Sequence, residues 1–388
     1  VSIEFNASGH ATLGVEWELQ LIDSTTLRLR QEAHEILAEL PDLSEAGAMP
    51  PLRHELMEST LEVVTGICET VSEAKADLAG TIGKLTPVLE RRGISALCAG
   101  THPIDDWREQ STSPMVRYGE LIEQMQWLAR RILTFGVHVH VGVRSADKAI
   151  PIVNALSQYL PHFLALTASS PYWSGSDTGL ASSRAVVFGA LPTAGVPHRL
   201  EDWPAFEEYM ETLLRAGTIK SIKEVWWDIR PHPEYGTVEV RMFDGIPTLR
   251  EIGMAAALSQ CLVTLFDQQL DRGYGLPSPP TWVVNDNKWR ATRYGLDARV
   301  ITDEKGTTVP LRDDLYELVR QLAPIAERLG CADELDVVSD VLEYGASYER
   351  QRAIVAAGGT LNDVVEALAT EFREDKFGQA KEVTHAAP

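Results

Sequence analysis

The sequence has few of the residues that tie small domains together. Its 388 residues include four cysteines, Cys68, Cys98, Cys261 and Cys331, widely spaced and forming no Cys-x-x-Cys pair. That pattern excludes a disulfide frame or a cysteine-rich zinc module and reads as reduced thiols. Positive charge is also scarce: 35 Lys and Arg against 56 Asp and Glu leave a formal net charge of −21. Such an acidic balance speaks against non-specific binding to nucleic acid or to an anionic membrane. It repels anionic substrates at long range, so any anion site has to be built locally, from metals and arginines. No HExxH pattern occurs, which removes the usual helical zinc site. The most apolar stretch, MAAALSQCLVTLF at 254–266, falls short of the ~20 residues that span a bilayer. The first fifteen residues lack a basic region followed by an apolar run, so no export signal is expected and the cytoplasm is the expected location.

What is present is ordinary globular material, 44% hydrophobic and 23% charged. Apolar spacing predicts helices over 70–93, 118–136, 147–168, 250–272, 312–330, 333–344 and 360–374, the first opened by a Thr70/Glu73 capping box. Period-two or β-rich runs predict strands at 14–22, 61–66, 95–100, 136–143 and 237–243. Strands and helices do not alternate regularly, which argues against a doubly wound parallel sheet. The expected fold class is α+β, with a mainly antiparallel sheet backed by helices. A single catalytic domain over 1–375 and a frayed tail over 376–388 are expected, with surface loops at 169–179 and 273–282.

Three of the strands share an unusual face. Side chains alternate across a strand. Glu16, Glu18 and Gln20 therefore lie opposite Val15, Trp17, Leu19 and Leu21; His138 and His140 lie opposite valines; Thr237, Glu239 and Arg241 lie opposite Val238, Val240 and Met242. Singly, each reads as a half-buried sheet with one wet side. Wet faces favour Thr, Ser, Lys and mixed charge, whereas these carry Glu/Glu, His/His and Glu/Arg. A fourth segment, RHELMESTLEVVTGICE, adds Glu55, Glu58 and Glu62, which read either as a wet helix face or as part of the same chemistry. Oxygen ligands with an imidazole suit Mg²⁺ or Mn²⁺ better than zinc, and divalent cations relieve the repulsion among converging carboxylates.

The runs TLGVEWELQLID, ESTLEVVTG, CAGTHP, GVHVHVG, SSPYWSGSDTGLASSR, WWDIRPHPEYGTVEVRMFDG and NKWRATRYGLDA, in this order, resemble the carboxylate–amine ligases of the glutamate–cysteine ligase type 2 family. The resemblance spans residues 12 to 352. It implies the fold of the glutamine synthetase/glutamate–cysteine ligase superfamily, a curved antiparallel sheet whose concave face holds ATP and metal ions. It also implies ATP-dependent amide formation through an acyl phosphate, with a small carboxylate such as glutamate and an amine as substrates, and with Mg²⁺ or Mn²⁺. Weak glutamate–cysteine ligase activity is a common property of this branch. By the same resemblance Glu16, Glu18, Glu55, Glu62, His138 and Glu239 match metal-binding positions, and His138 and Arg241 match groups that contact the nucleotide phosphates. Arg184 is a candidate clamp for the substrate carboxylate, and Asn287 and Arg290 are candidate pocket residues.

Other residues carry two readings. His140 is a second ligand or a partner of a neighbouring side chain; Glu58 faces the cleft or a helix. Trp17, Trp226 and Trp227 read as packing, His102 as a loop histidine, and Asp228 with Arg230 as a structural pair. Two functional alternatives stand beside the ligase. One is a metal-dependent hydrolase built on His138-x-His140; the other is a nucleotide-binding relative without turnover. Homo-oligomerisation is compatible with the sequence, and no nucleic acid or membrane partner is expected.

Overall fold

A computed structural model of the chain describes residues 2–40 and 50–377. Most of the expected tail, residues 378–388, lies outside the described residues. Eleven strands are described: β1 (Leu13–Asp23), β2 (Leu52–His54), β3 (Thr60–Val64), β4 (Ile94–Leu97), β5 (Gly136–Gly142), β6 (Tyr172–Trp173), β7 (Ser176–Asp177), β8 (Ile229–His232), β9 (Thr237–Asp244), β10 (Arg299–Ile301) and β11 (Thr308–Pro310). Seven of them form one sheet in the order β2-β3-β1-β5-β9-β8, with β4 also paired to β1. Every pairing in it is antiparallel. The α+β expectation holds.

The alternation read from the sequence sets the two faces of this sheet. Val15, Trp17, Leu19 and Leu21 of β1, Val137, Val139 and Val141 of β5, and Val238 and Val240 of β9 are buried in one continuous core. The helices Val71–Arg91, Ala146–Leu156 and Leu249–Asp271 contribute to it. The last helix has the length and hydropathy of a membrane span, yet 83% of its most apolar window is buried inside the protein, so its apolar surface is used in packing. The Thr70/Glu73 capping box forms as expected.

Several expectations need correction. The helix expected over 118–136 breaks at Gln126, whose φ of 51° interrupts it, giving Val116–Met125 and Trp127–Arg130. The segment 169–179 is not all surface. Ser169 and Ser170 are fully buried, because the carboxylate of Asp244 at the end of β9 accepts hydrogen bonds from Ser169 N (3.0 Å) and Ser170 Oγ (2.6 Å). Helices Ala33–Glu39, Ser183–Gly189, Trp203–Arg215, Thr281–Tyr294 and Ser347–Ala356, and strand β8, are elements that periodicity did not single out.

Candidate active site

Register brings the polar faces of the strands together. Glu18 on β1 is paired with Glu62 on β3, and Glu16 with His138 on β5. His140 is paired with Glu239 on β9, and Glu239 in turn with Arg230 on β8. Between Val137 and Val139 the register slips, so that two residues of β9, Arg241 and Met242, lie against His138. This bulge re-aims β9. Met242 stays in the core while Arg241 lines the cleft. Glu55 arrives from the end of β2.

The acidic groups form three overlapping sets whose ligand atoms lie within 4.8 Å of one another: Glu18/Glu55/Glu62, Glu16/Glu62/His138 and Glu16/His140/Glu239. Their electrostatics divide them. Burial opposes the charge of Glu16, but the hydrogen bond with His138 and the nearby His140 ring outweigh it and hold the carboxyl well below its usual range. Burial likewise opposes Glu239, and Arg230 (2.7 Å) and Arg241 overcome it. In the other set the stabilising partners, Arg184 for Glu18, Arg117 for Glu55 and Arg53 for Glu62, do not offset burial and mutual repulsion. Burial and the Glu55 charge push Glu18 up to about 8. Burial raises Glu55, and burial with Glu16 and Glu55 raises Glu62 well above the carboxylate range. The nearest cation to Glu62 is Arg53, 3.8 Å away.

His138 is held down to about 4 by burial and by Arg241, so it is neutral beside an ionised Glu16. Its Nδ1 lies 2.8 Å from a Glu16 oxygen, which places the proton there and leaves the Nε2 lone pair free. His140 Nδ1 meets Thr237 Oγ1 at 2.9 Å, and its buried Nε2 lies 3.6 Å from Glu16 and 3.7 Å from Glu239, close to both carboxylates but beyond hydrogen-bond length. Crowded carboxylates with raised proton affinity, the imidazole Nε2 atoms of His138 and His140 facing Glu18, Glu16 and Glu239, and no thiolate make a donor set that fits hard divalent cations. Both readings of His140 thus survive in one residue: one nitrogen is bonded to a neighbour and the other is available.

The polar face opens into a cleft of about 410 Å³ lined by Glu18, Glu55, His138, Arg184 and Arg241 from the expected set. Arg184 follows Ser182 and Ser183 at the start of the helix Ser183–Gly189. Asp244 fixes that start by accepting from Ser182 Oγ at 2.7 Å, while Ser170 Oγ accepts from Arg184 N at 3.1 Å. The Arg184 guanidinium makes long contacts to the carbonyls of Met242 (3.4 Å) and Arg241 (3.3 Å) and lies over the Phe188 ring, 5.5 Å from its centroid, while its buried Nε has no hydrogen-bond partner. It is poised for a carboxylate.

Asn287 and Arg290 do not line this cleft. Both ends of the Asn287 amide bond Ile301, at 2.9 and 2.7 Å, and Arg290 pairs with Asp286 at 2.6 Å and the Arg299 carbonyl at 3.1 Å. They tie the helix Thr281–Tyr294 to β10. The neighbouring Lys288 points the other way, to Asp228 at 2.7 Å. Asp228 and Arg230 are therefore not a pair: cross-strand register gives Arg230 to Glu239. Trp17 and Trp227 are packed, but Trp226 lines the cleft. His102 is a loop residue, its Nδ1 accepting from Asp105 N at 3.0 Å. Glu58 turns to the helix Ala33–Glu39, accepting from His34 N at 3.1 Å. Arg117, Tyr118 and Lys220 also line the cleft, and no strand pattern pointed to them.

The family model for glutamate–cysteine ligase family 2 (GCS2) matches residues 12–367. The chain belongs to that family. A protein of Thermobifida fusca (strain YX), provisionally named glutamate–cysteine ligase 2, is 74% identical over 96% of this chain and 94% of its own length. A relative in Frankia casuarinae, provisionally named glutamate–cysteine ligase 2-1, is 57% identical over 96% of this chain and 98% of its own. The fold is shared with the glutamate–cysteine ligase of Francisella tularensis solved with AMP. That likeness has a TM-score of 0.67 at 10% identity and covers 97% of this chain and 91% of that one. The bifunctional glutathione synthetase of Pasteurella multocida gives a TM-score of 0.61 at 14% identity over 94% of this chain and 51% of that one.

Proposed function

We propose that this cleft joins a carboxylate to an amine at the expense of ATP, with glutamate or a similar short acid as the carboxylate. The observation that carries the reading is the convergence of Glu16, Glu18, Glu55, Glu62, His138 and Glu239 with Arg241 and Arg184 on one sheet face, in a chain whose family match covers 12–367. Glu18, Glu55 and Glu62 would hold one divalent cation, and Glu16 a second, shared either with His138 and Glu62 or with His140 and Glu239; Mg²⁺ or Mn²⁺ suits the donors. Such ions supply charge neutralisation for the triphosphate and keep donor and acceptor oxygens in line. Arg241, aimed by the bulge, donates to the transferred phosphoryl oxygens, and Glu239 fixes its orientation. Arg184 holds the acid through a carboxylate.

The acid carboxylate oxygen bonds to the γ-phosphorus as ADP leaves, giving an acyl phosphate. The amine lone pair then attacks the acyl carbon, phosphate departs, and the amine proton is released to water. The family match over residues 12–367 favours the ligase over the hydrolase alternative, since a carboxylate and imidazole face for cations would serve either. Residues 1–375 act as one catalytic unit: Phe372 near the end of the last helix meets Trp17 of β1 with ring centroids 5.1 Å apart. The cytoplasm is the proposed compartment, consistent with four free cysteines, of which Cys261 and Cys331 lie 3.8 Å apart without a bond.

The test is ADP release with L-glutamate, an amine panel and Mg²⁺. Glu239→Ala and Glu16→Gln are each expected to lower it by roughly a hundredfold or more, with circular dichroism unchanged. Amine-dependent ADP release that persists in both variants, or in EDTA, overturns the assignment.

A further inference from the structure

We propose that Arg230 is a positioning residue: it hangs one wall of the cleft, residues 223–226, on the Glu239 carboxylate, so that this wall and the cation face of the sheet keep a fixed spacing. On the ligase reading above, that spacing shapes the substrate cleft. Lys223, Glu224 and Trp226 line the cleft from this stretch, and Lys220 and Ser221 do so just before it. The stretch has little structure of its own. It holds one short 3-10 turn, Ile222–Glu224, opened by Ser221. Outward, its main chain is tied to a loop: the Glu224 carbonyl accepts from Thr193 Oγ1 at 2.5 Å, and Trp226 N donates to the Thr193 carbonyl at 3.1 Å. Lys223 pairs with Glu234 at 2.6 Å, but both side chains are more than half exposed, and such pairs add little.

Inward, the tie is Arg230, a buried side chain on β8. Its Nε donates to Glu239 Oε2 at 2.7 Å, and its Nη1 donates to the carbonyls of Lys223 at 3.0 Å and Val225 at 2.8 Å. One planar group thus joins a carboxylate of the cation face to two main-chain carbonyls of the wall. The other Glu239 oxygen, Oε1, is left to Arg241. Burial opposes the Arg230 charge, and Arg230 is the foremost of the groups that keep Glu239 ionised. Neutralising Glu239 asks only for a cation; the two carbonyl bonds are what a guanidinium adds. Lysine carries the same charge on a single point donor and cannot serve the carboxylate and both carbonyls in the geometry of the fork. Arg230→Lys therefore separates the two roles.

The experiment is limited trypsin digestion of the native full chain, wild type against Arg230→Lys, with fragments assigned by mass spectrometry. Lys220 and Lys223 are the reporters, their side chains 65% and 61% exposed. Cleavage of a segment that opens briefly follows its open population. Loss of a charge-assisted bond to the wall is expected to raise cleavage after these two lysines by roughly tenfold or more in Arg230→Lys, with cleavage elsewhere within about twofold. In ADP release the same variant is expected to raise the KM of at least one substrate by roughly tenfold while kcat changes by less than about threefold, because the reacting groups on the sheet stay in place. Cleavage after Lys220 and Lys223 that matches wild type, or that rises equally at every site, overturns the inference. Arg230→Gln removes the charge as well and should loosen the wall at least as much; a folded Arg230→Gln protein as resistant as wild type also overturns it. Wild type that releases no ADP with any amine sinks the ligase reading instead, and the cleavage pattern alone then decides the role of Arg230.

Discussion

Gly136→Ala is the sharpest single test of how the acid is held. Gly136 opens β5 directly beneath the Arg184 guanidinium. A Cβ added there would lie 2.2 Å from Arg184 Nη2 and 2.8 Å from Cζ. Ordinary contact begins at 3.4 Å, so Nη2 must retreat by about 1.2 Å. The obstruction is the far end of a long side chain held by two long carbonyl contacts and by the Phe188 ring, so the sheet need not move. Stability should change by no more than about 1 kcal/mol, the usual range for Gly/Ala exchange. Binding is a different matter. A charge-assisted hydrogen bond is worth about 1.5–3 kcal/mol, and a bidentate pair fails when its fork is displaced by this much. Loss of one such bond raises the KM for the acid by roughly ten- to a hundredfold. Initial rates of ADP release, varied separately in L-glutamate and in ATP, read the two constants. The KM for ATP should move far less. In Arg184→Ala the methyl has nothing left to displace, so the double variant should resemble Arg184→Ala alone. A folded Gly136→Ala enzyme with an acid KM within twofold of wild type would refute the placement of Arg184.

Two further outcomes concern the cost of the site and of the core. Glu18 has its folded value raised from 4.5 to about 8 by burial and Glu55, so its charge destabilises the metal-free fold, an effect absent below pH 4.5 and fully present above 8. Glu18→Gln in EDTA should therefore unfold at a higher temperature than wild type at pH 8.5, match it near pH 4, and gain less from Mg²⁺; an equal or lower Tm at pH 8.5 contradicts the electrostatic account. In the core, Arg350 is buried between Glu251 and Glu371, each 3.0 Å away. Arg350→Ala leaves two buried acids facing each other and should cost about 3–5 kcal/mol in denaturant unfolding, whereas a loss under 1 kcal/mol would mean that water or repacking replaces the guanidinium.

Much of the site was legible along the chain because strand geometry has a period of two. Glu16 with Glu18, His138 with His140, and Glu239 with Arg241 lie two residues apart on short, otherwise apolar runs, and a two-residue spacing fixes a shared face whatever the partner strand. The apolar side of the same strands announced the covering helices. Helices that bury one broad stripe, such as Leu311–Leu329, were equally readable.

Tertiary structure alone decided the rest. Which strand lies beside which is a matter of register, and register paired Arg230 with Glu239 and Glu16 with His138. The bulge that sends Arg241 into the cleft is one residue of slippage between β5 and β9, invisible in either strand by itself. Successive residues on a helix point about 100° apart, so only the packing of Thr281–Tyr294 determined that Lys288 meets Asp228 while Asn287 and Arg290 hold β10. Trp226 and Trp227 are chemically identical neighbours, and their opposite fates depend on which side of one backbone faces the core. Local sequence determines which side chains share a face, because that is set by bond geometry over two to four residues. Tertiary contacts determine what each face meets, because that depends on chain segments from 9 to 122 residues away.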